Sequence, residues 1–123
     1  EKDNEALLAA MKEQLGDAVT KVAVSTRLTD APSAVTTEGP VSLEMERLMS
    51  QMPDGMGEVK SQRVLELNAK HPVFQVLKDA QSAGDAEKVK LYTEILYDQA
   101  LIVEGMPIAD PVAYANAVTK LMA

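Results

Sequence analysis

Apolar residues recur along the chain at two spacings, one typical of helices and one typical of strands. Leu8, Met11 and Leu15 recur every three or four residues, which predicts an amphipathic helix over residues 4–15. From Val22 to Leu28, larger and mostly β-branched residues occupy every second position, and this alternation predicts a strand. The predicted elements are a helix over 4–15, strands over 22–28 and 33–37, a helix over 42–52, a strand over 61–68, and helices over 72–82, 85–104 and 110–122.

Residues that start and stop helices support these boundaries. Side chains whose oxygen atoms can cap a first turn stand at the start of four predicted helices: Asn4, Ser42, Asp85 and Asp110. Pro72 stands at the first position of a further helix, where its missing N–H is not needed. Gly16 and Gly105 follow two of the predicted helix ends.

The order of elements predicts an α+β domain. We expect a small three-stranded sheet packed with about five helices, in a single domain over residues 1–123. Hydrophobic residues make up 46% of the chain, but only three tyrosines and one phenylalanine are aromatic, so the core must rest on aliphatic residues and methionine. The chain opens on EKDNE without an initiator methionine, and we expect it to be a segment of a longer protein.

The charge of the chain argues against two classes of partner. The formal net charge is −7 at pH 7, so the phosphates of nucleic acid and an anionic membrane surface would both be repelled. No apolar run approaches the ~20 residues that a membrane helix needs. There is no cysteine, which fits a reducing compartment, and we expect a cytoplasmic protein.

Few residues are arranged for catalysis or for binding a metal ion. His71 is the only histidine, and its place before Pro72 at a predicted helix start favours a capping or packing role. Glu44 and Glu46 lie two residues apart, so they diverge on a helix and are interpreted as solvated charges. The glycines form neither a dinucleotide fingerprint nor a phosphate loop. A small acidic enzyme that works through His71 is the alternative, although no nucleophile lies near it in the sequence.

A methionine-rich segment, SLEMERLMSQM from Ser42 to Met52, has two possible interpretations. Four apolar residues fall at i, i+3, i+4 and i+7: Met45, Leu48, Met49 and Met52. Such a stripe usually belongs to a core. However, the helix is short and lies between two segments rich in glycine and proline. Flexible methionines also recur on surfaces that bind many partners, which favours an exposed stripe.

The predicted helix over residues 85–104 is apolar nearly all round in its C-terminal half, EILYDQALIV. A helix of this kind must be covered on all sides, which a small domain can do on one side only. The last helix adds a second apolar stripe. Either these two helices cover each other and the sheet, or they also meet their copies in a second subunit.

Four motifs in order resemble one known family. They are RLTD at 27–30, MERLM at 45–49, LELNAKHP at 65–72 and LYDQALIVEGMPIADP at 96–111. Together they resemble the C-terminal domain of the heat-shock protein 90 chaperones in the bacterial form called HtpG, from about Leu7 to Met122. The resemblance implies a homodimer held by an intermolecular four-helix bundle of the last two helices. The residues expected at that interface are Leu91, Ile95, Leu96, Ala100, Val103, Tyr114, Val118, Leu121 and Met122.

The resemblance also implies what the methionine stripe does. It implies that Met45, Leu48, Met49 and Met52 form an exposed contact for partly unfolded client proteins. The ATP site of the family lies in other domains, so we expect no catalysis and no cofactor in this segment, with ATP and Mg bound elsewhere in a stress-response chaperone. The alternative is a monomeric structural domain with the stripe in its core.

Overall fold

Five helices and three strands make up the part of the chain that the structure describes. The computed structural model describes residues 2–25, 28, 30–50 and 61–122. In chain order the elements are α1 (Lys2–Leu15), β1 (Lys21–Ser25), β2 (Ser33–Glu38), α2 (Leu43–Ser50), β3 (Gln62–Asn68), α3 (Pro72–Ser82), α4 (Ala86–Val103) and α5 (Pro111–Met122). The predicted order of elements and the α+β class are confirmed.

Strand β3 is the centre of a mixed sheet with the order β1-β3-β2. It runs parallel to β1 and antiparallel to β2, so that Val22, Leu65 and Val35 lie side by side across the three strands. All three side chains are buried and belong to the hydrophobic core. The Ser33 hydroxyl donates a hydrogen bond of 2.9 Å to the Leu96 carbonyl, which ties the edge strand β2 to helix α4.

Helix α4 is the centre of the helical layer, because it packs against β2 and against α1, α3 and α5. Leu7 and Met11 of α1 and Leu77 of α3 are fully buried, and Leu96 and Leu101 of α4 are nearly so. As the composition predicts, aliphatic residues and methionine provide most of this core. Across the described ranges, no helix combines the length and the hydropathy needed to cross a membrane.

Three of the four predicted caps are confirmed. The side chains of Ser42, Asp85 and Asp110 accept hydrogen bonds of 3.1, 3.1 and 3.0 Å from backbone N–H groups three residues ahead. The prediction for Asn4 is wrong, because α1 begins at Lys2 and Asn4 therefore lies inside the helix. Lys2 and Asp3 extend the helix on the N-terminal side of Asn4, so Asn4 is not its first residue.

Strand β1 is also shorter than predicted. The expected strand over 22–28 runs instead from Lys21 to Ser25. The Ser25 hydroxyl accepts a hydrogen bond of 3.3 Å from the Leu28 backbone N–H, so this N–H bonds a nearby side chain and does not take part in strand pairing.

Candidate functional site

Helix α2 carries two large apolar side chains, Met45 and Leu48, on the side that faces solvent. Met45 is 40% exposed and Leu48 is 54% exposed, whereas Leu43 at the start of the helix is only 9% exposed. At about 100° per residue, Leu43 shares one side of the helix with Glu46 and Arg47, and Met45 and Leu48 lie on the opposite side. The helix is therefore the reverse of an ordinary amphipathic helix, whose apolar side faces the core.

Glu46 attaches the polar side of α2 to the sheet. Its Oε1 atom accepts hydrogen bonds from the Ser61 backbone N–H at 3.0 Å and from the Ser61 hydroxyl at 2.6 Å. Its Oε2 atom forms an ion pair with Arg63 Nη2 at 2.8 Å. The side chains of Arg63 and Glu46 are only 16% and 14% exposed. Both carboxylate oxygens thus have partners in a place that is largely screened from water.

The interpretation of Glu46 as a solvated charge is wrong. Burial alone would raise the pKa of Glu46, but the hydrogen bonds from Ser61 and the positive charge of Arg63 outweigh burial and lower it. Helical spacing correctly places Glu44 and Glu46 on different sides of α2, and Glu44 is exposed. The error arose because the apolar stripe indicated that the opposite, polar side would face water.

The same arginine connects α2 to helix α4. Arg63 Nη1 donates a hydrogen bond of 2.9 Å to the Tyr97 hydroxyl. The Tyr97 hydroxyl in turn donates a hydrogen bond of 3.4 Å to the Ala18 carbonyl. We call the four residues Glu46, Ser61, Arg63 and Tyr97 the polar clamp. The clamp joins α2, β3 and α4, and of its four residues sequence reasoning singled out only Glu46, as a solvated charge.

A cavity of about 340 Å³ opens beside the polar clamp. Leu101, Pro107 and Ile108 provide apolar lining, and Asp98 of α4 adds a carboxylate. Burial, together with the negative charges of Glu94 and Asp110, raises the pKa of Asp98 from 3.8 to about 6. The cavity therefore combines an apolar lining with an acid that takes up a proton at a higher pH than an ordinary aspartate does.

Large apolar side chains are also exposed at the end of α4 and along α5. Val103 and Met122 are each 78% exposed, and Val112 is 69% exposed. Ile102 and Leu121 are also large apolar residues that face solvent. Exposed apolar side chains on two neighbouring helices are a common mark of a protein–protein contact.

The structure divides the nine predicted interface residues into three groups. Three are buried within the chain: Ile95, Leu96 and Ala100. Three are half-buried: Leu91, Tyr114 and Val118. Three are exposed: Val103, Leu121 and Met122. Ile102 and Val112 are also exposed, and neither is among the nine predicted interface residues, although Ile102 belongs to the nearly continuous apolar run before Glu104.

The four predicted client-contact residues fall partly outside the described residues. Met45 and Leu48 lie together on the outer side of α2, as the resemblance implies. Met52 and the side chain of Met49 lie outside the described residues. Contact with client proteins stays a prediction for all four.

Elsewhere in the described residues, His71 has a structural role. Its Nδ1 atom accepts a hydrogen bond of 3.1 Å from the Val73 backbone N–H and caps α3. The described ranges contain no group of three or more histidine, aspartate or glutamate side chains that could hold a metal ion. The exposed apolar side chains of α2, α4 and α5 are instead suited to binding apolar surfaces.

Comparison with known proteins agrees with this geometry. A protein family described as "Hsp90 protein" matches residues 1–123. "Chaperone protein HtpG" from Clostridium perfringens is 48% identical over 120 residues, and the protein of the same name from Alkaliphilus oremlandii is 46% identical over 122 residues. These matches cover 98% and 99% of this chain but only 19% of each relative. The chain thus spans about a fifth of the length of the curated relatives it matches.

Proposed function

Because the chain belongs to the Hsp90 family, we propose that it is the dimerisation and client-contact module of an HtpG-like, ATP-dependent chaperone. The observation that carries the proposal is the reversed orientation of α2, which presents Met45 and Leu48 to solvent. Methionine and leucine offer an apolar contact without strict shape requirements, which suits partners of varied sequence. Partly unfolded proteins expose apolar segments of this varied kind.

Client contact can be tested with one substitution and one matched control. The probe is fluorescently labelled α-lactalbumin, reduced and carboxymethylated so that it stays unfolded. Leu48→Glu should weaken binding of this probe about tenfold, because the charge would have to be desolvated in the contact. Ala9→Glu adds the same charge at an exposed position of α1 and should leave binding unchanged. Equal affinity of Leu48→Glu and the parent chain would refute the client contact.

Dimerisation is proposed for the apolar surface at the end of α4 and along α5. Two copies that bury Val103, Val112 and Met122 against each other would form a two-fold interface. Light scattering across a dilution series should give about twice the chain mass of 13.2 kDa. Val103→Lys should return the mass to that of one chain while the far-UV spectrum stays unchanged. Leu96→Lys is unsuitable for this test, because Leu96 is buried in the chain's own core.

The rest of the parent protein would supply the chemistry. We propose that ATP and Mg bind outside this segment, and that the segment itself needs no cofactor and performs no catalysis. A dimer formed here would hold two ATP-binding arms at high effective concentration. We further propose that the parent is a cytoplasmic chaperone of the stress response, with neither nucleic acid nor membrane as a partner.

A further inference from the structure

The reversed orientation of α2 raises an energetic question. Leaving Met45 and Leu48 partly in water forgoes part of the stabilisation that their burial would give. The hydrophobic effect therefore favours rotating the helix so that these two side chains turn inward. Something on the other side of the helix must oppose that rotation.

Apolar packing of α2 is too small to fix its orientation. Leu43 is the one buried hydrophobic residue among the described side chains of the helix. It stands at the first helical position, so its packing holds only one end of the helix. The next two inward side chains, Glu46 and Arg47, are charged. Arg47 lies against the α4–α5 turn, with Nη1 3.7 Å from the position that a β-carbon would take at Gly105.

The polar clamp opposes rotation because it is directional. Turning α2 by half a turn would carry Glu46 away from Ser61 and Arg63 and would leave Arg63 without its carboxylate in a place that is only 16% exposed. Breaking a largely buried ion pair is far more costly than the pair is stabilising. The clamp thus penalises wrong orientations more than it stabilises the fold as a whole.

We propose that Glu46 and Arg63 are positioning residues, which hold the client-contact side of α2 outward through the polar clamp. The significance of this orientation for clients rests on the function proposed above, but the orientation itself does not. Tyr97 fixes the arginine from α4, and Ser61 fixes the glutamate from the start of β3. Neither Glu46 nor Arg63 needs to touch a client for this role.

The absence of cysteine makes the orientation of α2 directly measurable. A single thiol is introduced either by Leu43→Cys, on the inner side, or by Leu48→Cys, on the outer side. The rate of reaction with a maleimide reports how accessible each position is. In the parent chain we expect the outer thiol to react about tenfold faster than the inner thiol or more, since local opening must precede the inner reaction.

Three further substitutions then change the clamp in both thiol backgrounds. Glu46→Gln removes the negative charge at constant size, and Arg63→Met removes the positive charge. Each should bring the inner and outer rates to within about threefold of each other, because the barrier to rotation is lost. Arg63→Lys keeps the positive charge and should retain most of the difference. Glu44→Gln changes an exposed carboxylate of the same helix and should have no effect.

The outcomes separate this proposal from the proposed function. An unchanged ratio of the two rates in Glu46→Gln or in folded Arg63→Met would overturn the positioning role. Far-UV circular dichroism checks the fold of each variant. Global unfolding of both variants would also overturn the positioning role, because the ion pair would then support the whole domain. The thiol assay contains no client. Binding of the unfolded α-lactalbumin probe should weaken about tenfold in Glu46→Gln. If Leu48→Glu did not weaken binding of this probe, the client contact would be refuted but the positioning role would not.

Discussion

Truncating two leucines in two different helices tests the reversed orientation of α2 most simply. Leu48 of α2 is 54% exposed, and Leu77 of α3 is 0% exposed. Both lie inside helices, so the change in helix propensity on replacement by alanine is the same and cancels in the comparison. The remaining difference in the free energy of unfolding reports burial alone.

The expected magnitudes are well separated. Leu77→Ala removes a fully buried side chain and leaves a cavity, which costs about 2–5 kcal/mol. Complete burial of a leucine side chain is worth about 1.5–3 kcal/mol, and Leu48 has only about half of that burial to lose and no enclosed cavity to leave. Leu48→Ala should therefore cost at most about 0.8–1.5 kcal/mol.

Urea denaturation followed by far-UV circular dichroism is the suitable assay, because the chain has no tryptophan for fluorescence. All variants must be compared at one chain concentration, since dimerisation would make stability depend on it. Equal slopes against urea would show that the two variants unfold from the same kind of state. If Leu48→Ala lost about 2 kcal/mol or more, Leu48 would belong to the core and the reversed orientation would be wrong.

Three other substitutions have expected effects on stability in the same assay. The folded-state pKa of Asp98 is raised from 3.8 to about 6, so its ionised form destabilises the fold above pH 6 and this penalty disappears below about pH 4. Asp98→Asn should thus stabilise the chain by about 1 kcal/mol at pH 8, a value reduced for solvent screening, and an equal gain at pH 4 would contradict this cause. His71→Ala should cost about 1 kcal/mol through loss of the α3 cap, without changing client binding. Gly105→Ala should cost about 1–2 kcal/mol because φ is 76° there, and no loss would rule out backbone strain.

Local signals account for the parts of the fold that could be predicted. Ser42, Asp85 and Asp110 cap helices through contacts three residues away, and such contacts can be read from the sequence alone. The order of elements follows from the two hydrophobic periods. The two errors of this kind, at Asn4 and at the end of β1, concern boundaries, where competing local hydrogen bonds differ little in free energy.

The orientation of α2 could not be predicted from the residues alone. Hydrophobic periodicity finds the two sides of a helix but does not say which side faces water. The answer depends on Arg63, which lies 17 residues from Glu46 in the sequence, and on Tyr97, which lies 34 residues from Arg63. The family resemblance supplied the exposed stripe, whereas the ion pair that accompanies it became visible only in the folded chain.

The two apolar surfaces differ in what supports them, and this difference bears on their partners. Val103 lies at the end of α4, which packs against β2 and against α1, α3 and α5, so a partner meets a well-supported helix that a second copy can match by symmetry. Met45 and Leu48 project from a short helix that one buried leucine and the polar clamp attach to the domain. A surface attached in this way can adapt to each partner, which favours brief contacts with varied sequences over a permanent interface.

The net charge of −7 adds a repulsion between copies that a large, self-complementary interface can overcome and a contact of a few side chains cannot. Under the proposed function, permanent self-association is therefore expected at the α4–α5 surface, which would leave α2 available to clients.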